Sequence, residues 1–179
     1  MPSYAAESAR LCRIEDTRRE GSVTPGTASL RGGRLVFGKH MSPIATLVER
    51  STRYVLLVAL PSGNHKADVV ADPLAAAVTT LPAHLAKSLT WDQGHEMAEH
   101  RRFTAATGIQ VYFCDPKSPW QRGGNANTNG LLRQYLPRRL DFRTLTQTDL
   151  DAIAQELNER PRQTLGFKTP SQALAEVLR

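Results

Sequence analysis

The stretch IATLVERSTRYVLLVAL, residues 44–60, decides the fold class. Two runs of β-branched and aliphatic residues flank the charged segment 49–53, and Pro61 follows the second run. Such runs favour strands, whereas charged residues and proline interrupt them, so the stretch predicts a β-hairpin. RLVFG (34–38) precedes it and predicts one more strand, bounded by glycines. The folded part of the chain therefore begins with three strands.

Helical and strand patterns alternate over the next fifty residues. HKADVVADPLAAAVTTL carries apolar residues at helical spacing, and Pro73 is expected to bend or restart that helix. LTW (89–91) and IQVYFC (109–114) predict two short strands. The segment between them predicts a helix that ends at Gly108.

Three helices are predicted in the last third of the chain, over 125–135, 148–158 and 170–178. Thr146 and Thr148 both suit the N-cap of the middle helix, and Thr169-Pro170 is a cap-then-proline signature. The whole order predicts an α/β domain with a mixed, five-stranded sheet flanked by helices. Residues 1–31 lack clear periodicity and are predicted to form a poorly ordered tail, so the folded domain is assigned to 32–179.

Composition and charge narrow the class of protein. The chain has 23 basic and 17 acidic residues, a formal net charge of +6, and its first twenty residues do not resemble a signal peptide. No apolar run approaches the ~20 residues needed to cross a bilayer. Cys12 and Cys114 are too far apart in sequence to suggest a disulfide framework or a metal motif. We therefore expect a cytoplasmic protein that does not enter a membrane.

The basic residues are unevenly distributed. Residues 116–140 contain five of them and no acid. Such a segment suits a polyanion-binding surface, but it equally suits a solvated basic face, and charge alone does not decide.

Four segments resemble, in order, the catalytic core of transposases of the insertion-sequence-30 family. TWDQG, CDPKSPWQRG and NTNGLLRQY are the most specific motifs. The segments are GKHMSPIATLVERSTRY (38–54), LPAHLAKSLTWDQGHEMAEH (81–100), VYFCDPKSPWQRGGNANTNGLLRQYLP (111–137) and LNERPRQTLGFKTPSQAL (157–174). The resemblance implies a ribonuclease-H-like integrase core that acts on transposon ends and target DNA.

The resemblance also implies a metal site. The family uses two Asp and one Glu to hold two Mg²⁺ (or Mn²⁺) ions, which activate the attacking oxygen and stabilise the leaving oxygen of a phosphodiester. Carried over by motif, the second Asp is Asp92. The first Asp position is occupied by Arg34, and the Glu position is occupied by Ala126. Asp92 would be the one catalytic and metal-binding acid left.

Because two of the three acids are replaced, we expect the chain not to perform two-metal catalysis. Glu49, Glu96 and Asp115 match residues that accompany the three acids in the family, so they are not evident replacements. Asp92 is interpreted as a former ligand; the alternatives are a strand-end carboxylate bonded to backbone amides, or a partner of Arg34. We expect the metals not to be bound.

The leading functional prediction is a truncated, catalytically impaired transposase. The alternative is a non-catalytic DNA-binding or subunit-mixing regulator of active copies, acting as a homo-oligomer or in mixed assemblies. A third is a nuclease that uses Asp92 with unusual ligands. The residues predicted to contact DNA, with Trp120 as a stacking surface, are Lys39, Lys117, Trp120, Arg122, Asn125, Asn127, Arg133, Arg138 and Arg139.

Overall fold

The computed structural model describes residues 30–60, 67–82, 85–91, 97–114 and 123–179, with backbone alone at 31–33, 67–68 and 123–126. Within these ranges there are five strands and five α-helices. The strands are β1 (Leu30–Phe37), β2 (Pro43–Glu49), β3 (Val55–Ala59), β4 (Ser88–Trp91) and β5 (Gln110–Phe113). The helices are α1 (Ala67–Thr79), α2 (His100–Thr107), α3 (Gly123–Tyr135), α4 (Gln147–Asn158) and α5 (Pro170–Val177).

The predicted α/β class and mixed sheet are confirmed. The strands lie in the order β3-β2-β1-β4-β5. β1 pairs antiparallel with β2, and β2 pairs antiparallel with β3, whereas β1–β4 and β4–β5 are parallel. β1 is therefore the central strand, and it runs in the same direction as β4.

Strand β1 begins four residues before the predicted start, inside the segment interpreted as a tail. Its first residue, Leu30, is 1% exposed and pairs with Glu49 of β2 and Leu89 of β4. The glycines at 32 and 33 lower local strand propensity, and pairing on both sides outweighs that weakness. Residues 1–29 lie outside the described ranges.

Helix boundaries follow their capping residues. Gly108 ends α2 in a left-handed conformation with φ of 73°, as predicted. Thr146, not Thr148, caps α4 through a capping box with Asp149, and Thr169 caps α5 in the same manner. α1 continues through Pro73, so the restart considered there does not occur.

The sheet has a hydrophobic core on each face because successive strand residues point to opposite sides. Leu35 and Trp91 pack with α1 and α2 on one face. Val36 and Ile44 pack on the other face against α3 and α4, which contribute Leu132 and Leu150, among others. No helix in the described ranges is both long and apolar enough to span a membrane.

The outer edge of β3 is covered by amide side chains of α4. Asn158 is 1% exposed; its Oδ1 accepts from Val55 N at 2.8 Å and its Nδ2 donates to Val55 O at 2.9 Å. At the other end of α4, Gln147 accepts from Ala59 N and donates to Leu57 O, both at 2.8 Å. These bonds satisfy backbone groups that an edge strand would otherwise present to solvent.

Candidate functional site

Polar side chains lie between β1 and α3. We define the β1–α3 notch by Arg34, Thr46, Asn129 and Arg133. Arg34 is directly opposite Thr46 in the antiparallel β1–β2 pair, so both side chains lie on the sheet face that α3 covers. Thr46 Oγ1 is 3.2 Å from Arg34 O and 3.5 Å from Asn129 Oδ1, which links the central strand to the helix.

Arg133 lies one helical turn after Asn129 and is anchored to the end of β1. Its Nη1 donates to Phe37 O at 3.0 Å and to Leu136 O at 3.3 Å. Burial lowers the pKa of Arg133, and the positive charges of Arg138 and Arg34 lower the pKa further. The charge of Arg34 thus acts on Arg133 although 98 intervening residues separate them in sequence.

The three positions assigned to the catalytic acids are described to different extents. Arg34 is exposed on β1. Position 126 belongs to α3 and shares a helical face with Asn129 and Arg133, the face that meets β1. β4 ends at Trp91, paired with Gly33, and Asp92 itself lies outside the described ranges. The role of Asp92 and the assignment of the lost acids remain predictions.

The described side chains of the notch do not suit a divalent metal. Guanidinium groups of Arg34 and Arg133 supply N–H donors and no lone pair for a cation. Thr46 and Asn129 supply neutral oxygens, whereas Mg²⁺ is bound in proteins through carboxylates. Nowhere in the described ranges do three His, Cys, Asp or Glu side chains form a group that could hold a metal ion.

Glu49 is committed to the turn between β2 and β3 rather than to a metal site. It is 1% exposed. Its carboxylate accepts from Ser51 N and Oγ at 3.1 and 2.8 Å, and from Thr52 N and Oγ1 at 2.7 and 2.6 Å. Burial raises the pKa of Glu49, but these four hydrogen bonds outweigh burial and the net pKa is lowered. The carboxylate therefore stabilises a turn.

Part of the predicted DNA-binding surface is assembled by the close approach of two turns. Lys39 N donates to Leu140 O at 2.8 Å. A Cβ on Gly38 would overlap Leu140 O and lie 2.9 Å from two ring carbons of Phe142, so the approach requires glycine. Lys39 is exposed beside the turn that carries the exposed Arg138 and Arg139.

The other predicted DNA contacts are described less fully. Asn127 is exposed on α3, and Asn125 belongs to the same helix with only its backbone described. Lys117, Trp120 and Arg122 lie outside the described ranges. Which of these residues touches DNA remains a prediction.

Sequence reasoning missed two members of the notch, Thr46 and Asn129. A signal for Thr46 was present: it is a polar residue in the apolar run IATLV, on the same strand face as Ile44 and Val48. It also missed that Arg133 holds the end of β1, because α3 and β1 are distant in sequence.

Comparisons with known proteins agree with the fold. The integrase core domain family matches residues 27–119. The catalytic core of BIV integrase superposes with a TM-score of 0.61 at 18% identity, covering 84% of this chain and 95% of that one. A chain of the simian T-cell lymphotropic virus intasome gives a TM-score of 0.62 at 17% identity, with coverage of 83% and 54%. The fold is that of an integrase-type catalytic core.

Relatives of higher identity are transposases. The transposase of insertion sequence element IS30A from Escherichia coli is 51% identical over 142 residues, which are 79% of this chain and 37% of that protein. The transposase of IS1086 from Cupriavidus metallidurans is 50% identical, covering 97% of this chain and 55% of its own length. The chain thus spans about a third to a half of these curated relatives. It belongs to the integrase core domain family, and the resemblance to insertion-sequence-30 transposases is confirmed.

Proposed function

We propose that this chain is a DNA-binding protein of DNA transposition, acting in the cytoplasm, whose integrase core does not cut or join strands. The observation that carries the proposal is the position of Arg34 on central strand β1, opposite Thr46 and facing α3. Family resemblance assigns a metal-binding Asp to that position.

The charge change at this position opposes metal binding. Two unit charges ~4 Å apart interact by about 4 kcal/mol at an effective dielectric of 20. Replacing Asp by Arg turns that attraction for a cation into a repulsion, and Ala126 removes a second ligand. Asp92 alone would have to offset the loss of two carboxylates.

DNA binding is supported by the exposed basic side chains around the sheet. The Lys39–Leu140 backbone hydrogen bond joins the exposed Lys39 to the turn that carries the exposed Arg138 and Arg139. Such clusters neutralise phosphates and release counterions, so binding should weaken steeply as salt rises.

Two assays test the proposal. Cleavage and strand transfer on duplexes with transposon-terminal repeats, in Mg²⁺ and in Mn²⁺, should give no product. Fluorescence anisotropy with the same duplexes should show binding at low salt that is lost as salt increases. Metal-dependent nicking, or no binding at low salt, would refute the corresponding half of the proposal.

A second candidate function is subunit mixing, in which this chain joins assemblies of active transposases and impairs them. The observation that favours it is that side-chain contacts join α3 to α4 and to the residues just after α4. Tyr135 Oη donates to Glu156 at 2.8 Å, Arg160 donates to Gln134 at 3.1 Å, and Arg160 lies 5.1 Å from the centroid of the Tyr135 ring. Co-purification with an active homologue, and inhibition of that homologue's strand transfer, would support this function.

A further inference from the structure

We propose that the turn between β1 and β2 (residues 38–42) is a wedge that enters the minor groove of duplex DNA and opens a base step with the side chain of Met41. The ligand is therefore a bent duplex. The inference rests on the proposed function and adds that DNA is held by distortion as well as by charge. It uses none of the three positions assigned to the catalytic acids.

The β1–β2 turn has the backbone of a two-residue hairpin turn. Ser42 N donates to Lys39 O at 3.2 Å, and Gly38 N donates to Ser42 O at 2.8 Å. The two central residues, His40 and Met41, both have φ of 55°. Hairpin turns with positive φ at both central residues favour Asn and Gly, because the left-handed conformation costs energy in other residues. The turn is therefore strained at two successive residues.

The strained turn is held in place by bonds on its inner side. Ser42 is 1% exposed; its Oγ donates to Lys39 O at 2.8 Å and accepts from Phe142 N at 2.9 Å. Lys39 N donates to Leu140 O at 2.8 Å. These bonds resist a movement of the turn away from a ligand. Backbone strain that is maintained by the surrounding structure clusters at sites that bind ligands.

The tip of the turn presents an apolar side chain to solvent. Met41 is 61% exposed. A single exposed apolar side chain is ordinary on a protein surface. Here, however, the exposed side chain stands on a strained backbone, and glycine at the same position would avoid the strain. Folding therefore gives no reason for methionine at this position, whereas binding does.

Cationic side chains lie in the turn and in the segment bonded to it. Lys39, Arg138 and Arg139 are exposed, and the described part of the chain gives none of them a side-chain hydrogen bond or ion pair. The acid that follows them, Asp141, is already paired: its carboxylate accepts from Arg143 Nε at 2.9 and 3.1 Å. This hydrogen bonding from Arg143 holds the pKa of Asp141 well below its usual range. The surface around the tip is therefore positive.

An apolar tip beside cations matches a duplex better than a protein partner. Proteins that bend DNA from the minor groove insert apolar side chains, Met among them, between base steps, and use Arg and Lys in the same groove. The strands of a hairpin lie about 4.8 Å apart and the minor groove is about 6 Å wide, so a two-residue turn is narrow enough to approach the base edges. A protein interface would need a wider apolar patch, and neither the turn nor residues 138–142 expose a second large apolar side chain.

Resonance energy transfer between dyes at the two ends of a short duplex measures the bend. Saturating parent protein should shorten the end-to-end distance, and more so for a duplex with a central TA step than for an A-tract, because TA steps kink easily and A-tracts are stiff. Met41→Ser should lose most of the bending and the preference for the TA duplex. Its affinity for the A-tract should stay within about threefold, because the phosphate contacts remain.

Two further variants separate the side chain from the fold. Val177→Ser is the matched control, since it makes the same kind of change at a 46% exposed residue of α5, and it should bend DNA as the parent does. Met41→Gly relieves the left-handed strain and should melt at or above the temperature of the parent, yet it should bend DNA as little as Met41→Ser. A lower melting temperature for Met41→Gly would show that the turn is not strained.

The outcomes distinguish this inference from the proposed function. Binding of both duplexes by the parent without a change in end-to-end distance would overturn the wedge, although DNA binding would stand. Bending that is unchanged in Met41→Ser, or lost equally in Val177→Ser, would also overturn it. If Met41→Ser still bends DNA but no longer co-purifies with an active homologue, the turn serves a protein partner and the wedge is refuted. If the parent binds neither duplex at low salt, both proposals fail.

Discussion

The guanidinium of Arg133 donates to the carbonyl oxygen of Phe37 at 3.0 Å, joining the last turn of α3 to the last residue of the central strand. The same Nη1 also contacts Leu136 O, at 3.3 Å. This side chain therefore fixes the distance between α3 and β1. Its replacement should destabilise the fold and weaken DNA binding.

Replacing Arg133 by Met should lower the free energy of unfolding by about 1–3 kcal/mol, because two backbone carbonyls lose a charged donor. Urea denaturation measures the change. Arg139→Met is the matched control: Arg139 is exposed on the neighbouring turn, and its replacement should stay within about 0.5 kcal/mol. Equal effects in the two variants would show that the Phe37 contact contributes little.

Magnesium should leave the melting temperature unchanged. A ligand stabilises a fold only by binding the native state better than the unfolded chain, and the described notch offers a cation no carboxylate. Differential scanning calorimetry with and without millimolar MgCl₂ is the measurement, with an equal ionic strength of NaCl as control. A reproducible rise of several degrees specific to Mg²⁺ would mean that a metal site survives.

The double variant Arg34→Asp with Ala126→Glu should gain Mg²⁺ or Mn²⁺ affinity in isothermal titration calorimetry. Family resemblance assigns an acid to both positions, so two carboxylates there would join Asp92 to rebuild a three-acid site. Each single variant should change little, because ligands that act as a unit are strongly non-additive.

Slow nicking of duplex DNA should accompany metal binding in that double variant. Metal binding without nicking would indicate a misalignment of α3 by an ångström or so, which is enough to abolish catalysis. A folded double variant with the metal affinity of the parent would show that Arg34 and Ala126 are not the positions of the lost acids.

Glu49 should make stability depend on pH in the acidic range. Its pKa in the folded protein is lowered from 4.5, so the unfolded chain binds a proton more readily than the native one. The stabilisation by Glu49 is therefore fully present above pH 4.5 and is lost as pH falls through the lower pKa of the folded state. Glu49→Gln should be destabilised at neutral pH, and its difference from the parent should shrink on acidification.

Denaturation midpoints measured across that pH range give this comparison. The control is Glu99→Gln, at an exposed residue beside α2, whose difference from the parent should be small throughout. A penalty for Glu49→Gln that is independent of pH would point to lost shape complementarity in the turn rather than to the carboxylate charge.

Most of the architecture was predictable because the hairpin stretch 44–60 and the threonine caps carry local signals. Those signals depend only on propensity and on hydrogen bonds within one turn, so β2, β3, α4 and α5 appear where the sequence indicates. The start of β1 at Leu30 was not predicted. This part of the strand is specified by pairing with β2 and β4, and a glycine-rich segment has no local signal for that pairing.

For the site, motif resemblance predicts positions, and that assignment stays a prediction, whereas no local signal predicts the contacts. Motif resemblance identified Arg34, Asp92 and Ala126 as three related positions, although they are far apart in the chain. The link from Thr46 to Asn129 and the anchoring of Arg133 on Phe37 depend on how α3 packs against the sheet. A local sequence pattern does not predict the distance between two elements that come into contact only after folding.

The amide groups that Asn158 and Gln147 place along β3 also determine how copies of this protein can associate. Two sheets that meet edge to edge must exchange backbone hydrogen bonds, and at this edge three residues of β3 have already committed groups to α4. Growth into a continuous intermolecular sheet is blocked on this side, as it is in proteins that resist fibril formation. Any pairing of this chain with a transposase subunit through this side must therefore use helix surfaces, where a specific partner can be distinguished by its side chains.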